Sequence, residues 1–148
     1  MGNMHSKVMV EVKPMESVVI DRELTERERT LGEWMLRNGE PEGSDYLQQL
    51  EQARVGELCP CGCASVNFNI GGRGVVHGPL HILGDFLFGE GDQTSGVFIF
   101  AIEGRLAGIE IFSYGETVHT ELPAPAELRL YDSAENLGLD QAIKEKHV

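Results

Sequence analysis

The strongest constraint on the fold is a pair of β-patterned segments joined by a two-residue connection. Residues 97–102 (VFIFAI) are apolar on both alternating faces, which is typical of a central strand covered on both sides. Residues 105–114 follow after Glu103-Gly104, so the two segments predict an antiparallel hairpin. This register pairs Ile102 with Arg105 and Val97 with Glu110, and it places Glu110 on the same face as Leu106 and Phe112.

Two further strands precede this hairpin in a glycine-rich half of the chain. Eleven of the 18 glycines lie between positions 71 and 115. Residues 65–70 (SVNFNI) alternate cleanly between polar and apolar side chains, which predicts a strand with one buried face. Residues 80–88 predict another strand, in which Gly84 indicates a bulge or a bend. The four segments together predict a four-stranded antiparallel β-meander.

Helical signals lie in the first half of the chain. Thr25 is a suitable N-cap, Glu28 completes a capping box, and Gly39 is a natural end, which predicts a helix over residues 26–38. A second helix is predicted to begin at Ser44 and to end at Gly56. The short connection between them is typical of a helical hairpin.

These patterns predict an α+β fold in which two short N-terminal helices pack on the four-stranded meander. We expect a single domain over residues 1–148. Within it, residues 1–20 form an extended arm or strand, 21–56 the helical hairpin, 57–122 the β-meander, and 123–148 a C-terminal tail or short helix.

The charge of the chain limits the classes of partner. The sequence carries 24 acidic and 12 basic residues, a net charge of −12 that is spread along the chain. Phosphate neutralisation needs a basic patch, so no nucleic-acid partner is expected, whereas a basic partner would be attracted. No apolar run is long enough to span a bilayer, and no export signal is apparent, so we expect no membrane partner and a cytoplasmic location.

The most unusual feature is the Cys-Pro-Cys-Gly-Cys segment. Cys59, Cys61 and Cys63 are the only cysteines, and an odd number within five residues argues against a disulfide framework. Alternate residues of an extended chain point the same way, so the three thiols could converge on a zinc ion. A closed site needs a fourth ligand, for which His77 and His81 are the candidates. The alternative is that the cysteines are buried apolar residues of a tight turn and that the protein needs no cofactor.

A second set of candidate residues carries carboxylates. Glu110 lies in mid-strand, and His81 and Asp85 are four residues apart in the neighbouring strand. In one strand parity the three share a surface that could bind a ligand or a hard cation, and a slip of one residue separates them. An enzyme that uses Glu110 as a base is one hypothesis, and polar residues on the solvated face of the sheet are the alternative.

Two resemblances accompany these motifs. The Cys-Pro-Cys-Gly opening resembles the start of the SEC-C zinc motif, but the later ligands of that motif are missing at the matching spacing. From residue 20 to 130 the order of features resembles a group of small uncharacterised bacterial proteins. That resemblance rests on the Cys59–Cys63 segment and on Gly104-Arg-Leu-Ala-Gly-Ile-Glu. It implies a meander after the cysteines and no established activity, and such proteins also occur on mobile gene cassettes.

No catalytic set is apparent, so the sequence favours a non-enzymatic acidic binding protein for a protein or small-molecule partner. The alternatives are a small zinc protein that uses the three cysteines and the enzyme with Glu110 as base. A homodimer is also open, because an edge strand at residues 7–12 could pair between subunits.

Overall fold

The fold is built on one antiparallel sheet of seven strands. In the computed structural model, which describes residues 17–115 and 117–130, the strands lie in the order β1-β2-β3-β6-β5-β4-β7. Two three-stranded meanders therefore meet along β3 and β6, and β7 extends the far edge. The strands are β1 Val18–Glu23, β2 Ala53–Leu58, β3 Val66–Ile70, β4 His81–Phe88, β5 Ser95–Ile102, β6 Arg105–Ser113 and β7 Arg129–Leu130.

The predicted fold class, with four strands under two helices, is wrong. The four predicted strands of the meander are present, but β1, β2 and β7 join them, so strands outweigh helices in the described part of the chain. β2 occupies residues that the sequence assigned to the end of the second helix. Ala53, Val55 and Leu58 bear apolar side chains that suit either structure, and pairing with β1 on one side and β3 on the other selects the strand.

The first helix, α1 (Glu26–Asn38), confirms the local prediction. The Thr25 hydroxyl accepts a hydrogen bond from Glu28 N at 3.0 Å, and the Glu28 carboxylate accepts one from Thr25 N at 2.8 Å. The second helix is shorter than predicted. A 3-10 turn over Pro41–Tyr46 precedes α2 (Leu47–Gln52), and the chain then enters β2.

The helices cover one face of the sheet, and the main core lies between the helices and the sheet. Its largest fully buried side chains come from α1 and from strands β3 to β6. They include Leu31, Met35, Leu36, Phe68, Phe86, Ile99 and Ile109. We call the opposite face of the sheet the outer face. It carries a second apolar cluster of Phe100, Ile102 and Ala107, against which Val76, Ile82 and Phe98 pack.

A bulge changes the predicted register of the β5–β6 hairpin. Glu103 and Gly104 both have positive φ (52° and 79°), as a primed two-residue turn requires, and Ile102 pairs with Arg105 as predicted. Beyond Ala101 the register shifts by one residue, so Glu110 pairs with Phe98. The predicted pairing of Glu110 with Val97 is therefore wrong.

This shift also changes the face on which Glu110 lies. Leu106 belongs to the main core, whereas Phe98, the partner of Glu110, packs on the outer face. The predicted shared face of Glu110 and Leu106 is wrong, because the extra residue of the bulge inverts the alternation.

A second bulge lies in β4, at the glycine where the sequence indicated one. Ile82 pairs with Phe100 and Gly84 with Ile99, so one extra residue separates the two halves of the strand. As a result, His81 pairs with Ala101 at the helix-covered face, whereas Asp85 pairs with Phe98 on the outer face.

Two predicted elements, the strand at residues 7–12 and the helix within 123–148 beyond residue 130, lie outside the described residues. Of the helices in the described ranges, none is both long enough and apolar enough to cross a membrane.

Candidate metal centre

A β-turn brings the first two cysteines together. Cys59 directly follows β2, Pro60 takes the second position of the turn, and Gly62 N donates a hydrogen bond to Cys59 O at 3.2 Å. Gly62 has a φ of +89°, which favours glycine at this point. The Sγ atoms of Cys59 and Cys61 lie 2.8 Å apart. The thiols thus converge because the chain turns, and not because it is extended.

The third sulfur completes a compact group. The Sγ atoms of Cys59, Cys61 and Cys63 all lie within 4.8 Å of one another, and in the described part of the chain this is the one group of three such side chains close enough to hold an ion. The backbone N of Cys63 also donates to Cys61 Sγ at 3.4 Å. Cys61 is exposed and the other two are partly exposed. The reading in which all three are buried apolar residues is therefore wrong.

The three thiols differ in their acidity. Burial, together with hydrogen bonding to Cys61, raises the pKa of Cys59 to about 12. Hydrogen bonds from the Cys59 thiol and from the backbone of Cys63 lower the pKa of Cys61. Of the closest pair, Cys61 is therefore the sulfur that loses its proton more readily, and it is also the exposed one.

The two candidate histidines do not join the cysteines. His77 Nε2 lies 3.5 Å from Glu57 Oε1, and His81 Nε2 lies 2.9 Å from Glu42 Oε2. Both imidazoles are well exposed, and neither belongs to the group of three ligand atoms among residues 17–115 and 117–130. The described residues supply three ligands and leave a fourth position open.

Two pockets border the cysteine turn. One, of about 450 Å³, is lined by Cys63 and by Arg22 and Glu28, which form a salt bridge at 2.9 Å. The other, of about 220 Å³, is lined by Cys59 and by the two carboxylates of Glu57 and Glu110. Each pocket therefore borders one cysteine of the segment, Cys63 in the larger pocket and Cys59 in the smaller one.

The predicted carboxylate site is only partly assembled. Asp85, Phe98 and Glu110 form a row across β4, β5 and β6 on the outer face, and His81 lies on the other face. Burial raises the pKa of Glu110, against a hydrogen bond from Ser65 that lowers it. Burial also raises the pKa of Asp85, whose Oδ1 is buried and has no hydrogen-bond partner.

Sequence reasoning missed Ser65, whose hydroxyl links Cys63 to the backbone of β6. Its hydroxyl accepts from Ile111 N at 2.9 Å and lies 3.4 Å from Cys63 Sγ, and the residue is only 6% exposed. The polar-apolar alternation indicated an outward side chain at this position. Nothing local could have identified its partner, which lies 46 residues away along the chain.

A serine–histidine pair was also missed, and its burial argues against catalysis. Ser95 Oγ lies 2.7 Å from His119 Nε2, and Ser95 is 0% exposed. A nucleophile must reach its substrate, so we assign this pair to packing at the start of β5.

Comparisons of the chain with protein families, with curated proteins and with solved structures find no match. The resemblance to the group of small bacterial proteins accordingly stays a prediction. The geometry of the cysteine turn and of the outer face supports the functions proposed below.

Proposed function

We propose that this chain is a small metal-binding protein whose site is Cys59, Cys61 and Cys63, with Zn²⁺ as the preferred ion. The observation that carries the proposal is the grouping of three Sγ atoms within 4.8 Å of one another on one turn. Thiolates are the ligands that soft and borderline metal ions prefer in proteins.

The separations suit a metal–thiolate site after a small adjustment. Zn–S bonds of about 2.3 Å place neighbouring sulfurs about 3.8 Å apart in a tetrahedron. The Cys59 and Cys61 sulfurs, now 2.8 Å apart, would have to separate by about 1 Å. Cys61 is exposed, so rotation of its side chain meets little resistance.

The open fourth position determines the kind of site that we propose. Structural zinc sites are closed by four protein ligands, whereas sites with three ligands bind water, substrate or a ligand from another molecule at the fourth position. The described residues supply three ligands, and the turn lies at the protein surface. The site therefore suits an exchangeable ion better than a structural ion that stabilises the fold.

Electrostatics supports the uptake of a cation. The chain carries a net charge of −12, and Glu57 and Glu110 line the pocket next to Cys59. Binding must also displace the proton of Cys59, whose pKa is raised to about 12 in the absence of metal. Uptake should therefore release protons and strengthen as the pH rises.

A titration of untagged protein tests the proposal. After treatment with a chelator and a reductant, the protein should bind one equivalent of Zn²⁺ by calorimetry. Co²⁺ should give the sulfur-to-metal charge-transfer absorption expected of thiolate ligands. Cys61→Ser should reduce the affinity at least about tenfold, because it removes one of three thiolate ligands.

His77→Gln is the matched control, because this variant removes a candidate ligand that lies outside the cysteine group. It should bind Zn²⁺ as the wild-type protein does. Uptake below one equivalent, or uptake that Cys61→Ser leaves unchanged, would show that the proposal is wrong.

A second function is favoured by the outer face, and we propose it separately. Asp85 and Glu110 flank Phe98, and among the described residues neither carboxylate forms a salt bridge. The Phe98 ring lies 5.7 Å from that of Phe100 and 6.0 Å from that of Phe112. Carboxylates beside aromatic faces suit arginine or lysine, so we expect a protein partner that presents basic side chains.

An NMR titration with a short arginine-containing peptide tests this binding face. Amide shifts should concentrate on β4, β5 and β6, and the double variant Asp85→Asn/Glu110→Gln should lose them. The control Asp45→Asn/Glu51→Gln removes the same charge from exposed positions and should keep them. Equal loss in both variants would mean that only net charge attracts the peptide, and the proposed face would be rejected.

A further inference from the structure

The cysteine turn has a second chemical capacity, which does not depend on metal. Cys59 and Cys61 form the closest pair of sulfurs, at 2.8 Å, and Cys61 is open to solvent. A disulfide bond is about 2.05 Å long, so this pair needs to approach by only about 0.8 Å. The third sulfur, of Cys63, is instead hydrogen-bonded to Ser65.

We propose that Cys59 and Cys61 form a reversible disulfide by exchange with a low-molecular-weight disulfide, and that this bond dismantles the metal site. Cys61 is the entry point because it is exposed, at the tip of the turn. Cys59 is the resolving residue because its sulfur is already in contact with that of Cys61.

The exchange balances without any further reactant. The Cys61 thiolate attacks one sulfur of the small disulfide, and the released thiolate takes up a proton to become a thiol. Cys59 then loses its proton to solvent and attacks the Cys61 sulfur, which expels the second small thiol. Two protein thiols are oxidised, and one small disulfide is reduced to two thiols.

Oxidation and metal binding exclude each other at this turn. The disulfide removes two of the three ligands, and the single remaining thiolate, Cys63, cannot hold an ion. Exposed disulfides are among those that thiols reduce most readily, so a cellular thiol would restore the site. The turn would then release its ion under oxidising conditions and recover it under reducing ones.

The first test uses metal-free protein in the presence of a chelator, with oxidised glutathione as the probe. The number of free thiols should fall from three to one, with a loss of about 2 Da for the two hydrogens removed. Alkylation of the remaining thiol should then label Cys63. A label on Cys59 or Cys61, a stable glutathione adduct, or dimers linked between chains would overturn the proposal.

Two serine variants identify the pair independently. Cys63→Ser keeps both proposed partners and should form the bond at the wild-type rate. Cys61→Ser keeps the more distant sulfurs and should react at least about tenfold more slowly, because the entry thiolate is gone. Equal rates in the two variants would show that no specific pair exists. Circular dichroism spectra that match the wild type are required of both variants.

The second test uses protein loaded with Zn²⁺ and follows release with a chromogenic chelator. Oxidised glutathione should release the ion in step with thiol loss, and a dithiol reductant should restore binding. Release that precedes or lacks thiol loss would overturn the link between the two. If the protein takes up no metal, the first test still decides the disulfide, so failure of the proposed function and failure of this inference are distinguishable.

Discussion

The ion pair at the start of α1 allows a prediction whose size can be worked out from the structure. Glu28 is 7% exposed, and each of its carboxylate oxygens accepts a hydrogen bond from Arg22 at 2.9 Å. Oε1 also accepts from Thr25 N. Glu28→Gln keeps an oxygen for the capping bond but removes the charge, and its amide group turns donors toward Arg22. The variant therefore isolates the ion pair from the cap.

We expect Glu28→Gln to lower the free energy of unfolding by about 2 kcal/mol. Removing one partner of a fully buried pair costs about 3–5 kcal/mol. The Arg22 side chain is 37% exposed, so solvent screening reduces the loss. With a urea dependence of about 1.5 kcal/mol per molar, the unfolding midpoint should fall by about 1.3 M, measured by circular dichroism and by the fluorescence of Trp34.

The pH dependence gives a second signature of the same pair. Burial raises the pKa of Glu28, but hydrogen bonds from Arg22 and Thr25 outweigh it, so the pKa lies below its ordinary value of 4.5. A carboxylate with a lowered pKa stabilises the fold fully above the unfolded value and loses that contribution as the pH falls through the folded value. The difference between wild type and variant should be constant near neutral pH and shrink below 4.5.

Glu26→Gln is the control, since it removes a charge from the same helical turn at an exposed position. It should change the unfolding free energy by less than about 0.5 kcal/mol. A Glu28→Gln variant that behaved like this control, or whose destabilisation persisted undiminished in acid, would contradict the proposed role of the ion pair.

Three further predictions concern the sheet around the site. Asp85→Asn should raise the unfolding free energy by about 1 kcal/mol near neutral pH, because it removes a partly buried charge without a partner. Burial raises the pKa of Asp85, so the ionised carboxylate destabilises the wild-type fold at pH values above the folded pKa. The stability gained by Asp85→Asn should therefore vanish in acid, and urea titrations at several pH values measure this. Gly108→Ala should lower the unfolding free energy by about 2–3 kcal/mol in the same assay, because its Cβ would meet Val66 O in the paired strand β3. A loss below about 0.5 kcal/mol would contradict the tight contact between β3 and β6. Ser65→Ala should cost about 1–3 kcal/mol, because Ile111 N loses its buried acceptor, and unchanged amide hydrogen exchange at Ile111 would contradict this role.

Local chemistry determined α1 before any tertiary contact was known. Its N-cap, capping box and terminal glycine interact within a few residues of the chain, so the sequence alone predicted the bounds Glu26–Asn38, which are confirmed. The turn at Glu103-Gly104 was predicted for the same reason. Its first pair, Ile102 with Arg105, depends only on the geometry of the two residues between them.

Strand identity was less accessible from the sequence. β1 and β2 are short, and the apolar side chains of Ala53, Val55 and Leu58 fit the end of a helix as well as a strand. A strand gains its hydrogen bonds from partners that are distant in the chain, and β2 finds them in β1 and β3. The sheet therefore has seven strands, where the predicted meander had four.

The candidate site also combines features set by local sequence with features set by contacts between distant parts of the chain. Three thiols within five residues, with Pro60 and Gly62 favouring a turn among them, are features that can be read from the order of residues alone. The three-dimensional fold was needed to learn that their sulfurs lie within 4.8 Å of one another and that His77 and His81 contact glutamates instead. It also decided which face each carboxylate occupies. A bulge adds one residue to a strand and so inverts every later side chain, which is why Glu110 and Asp85 lie on the outer face and His81 does not.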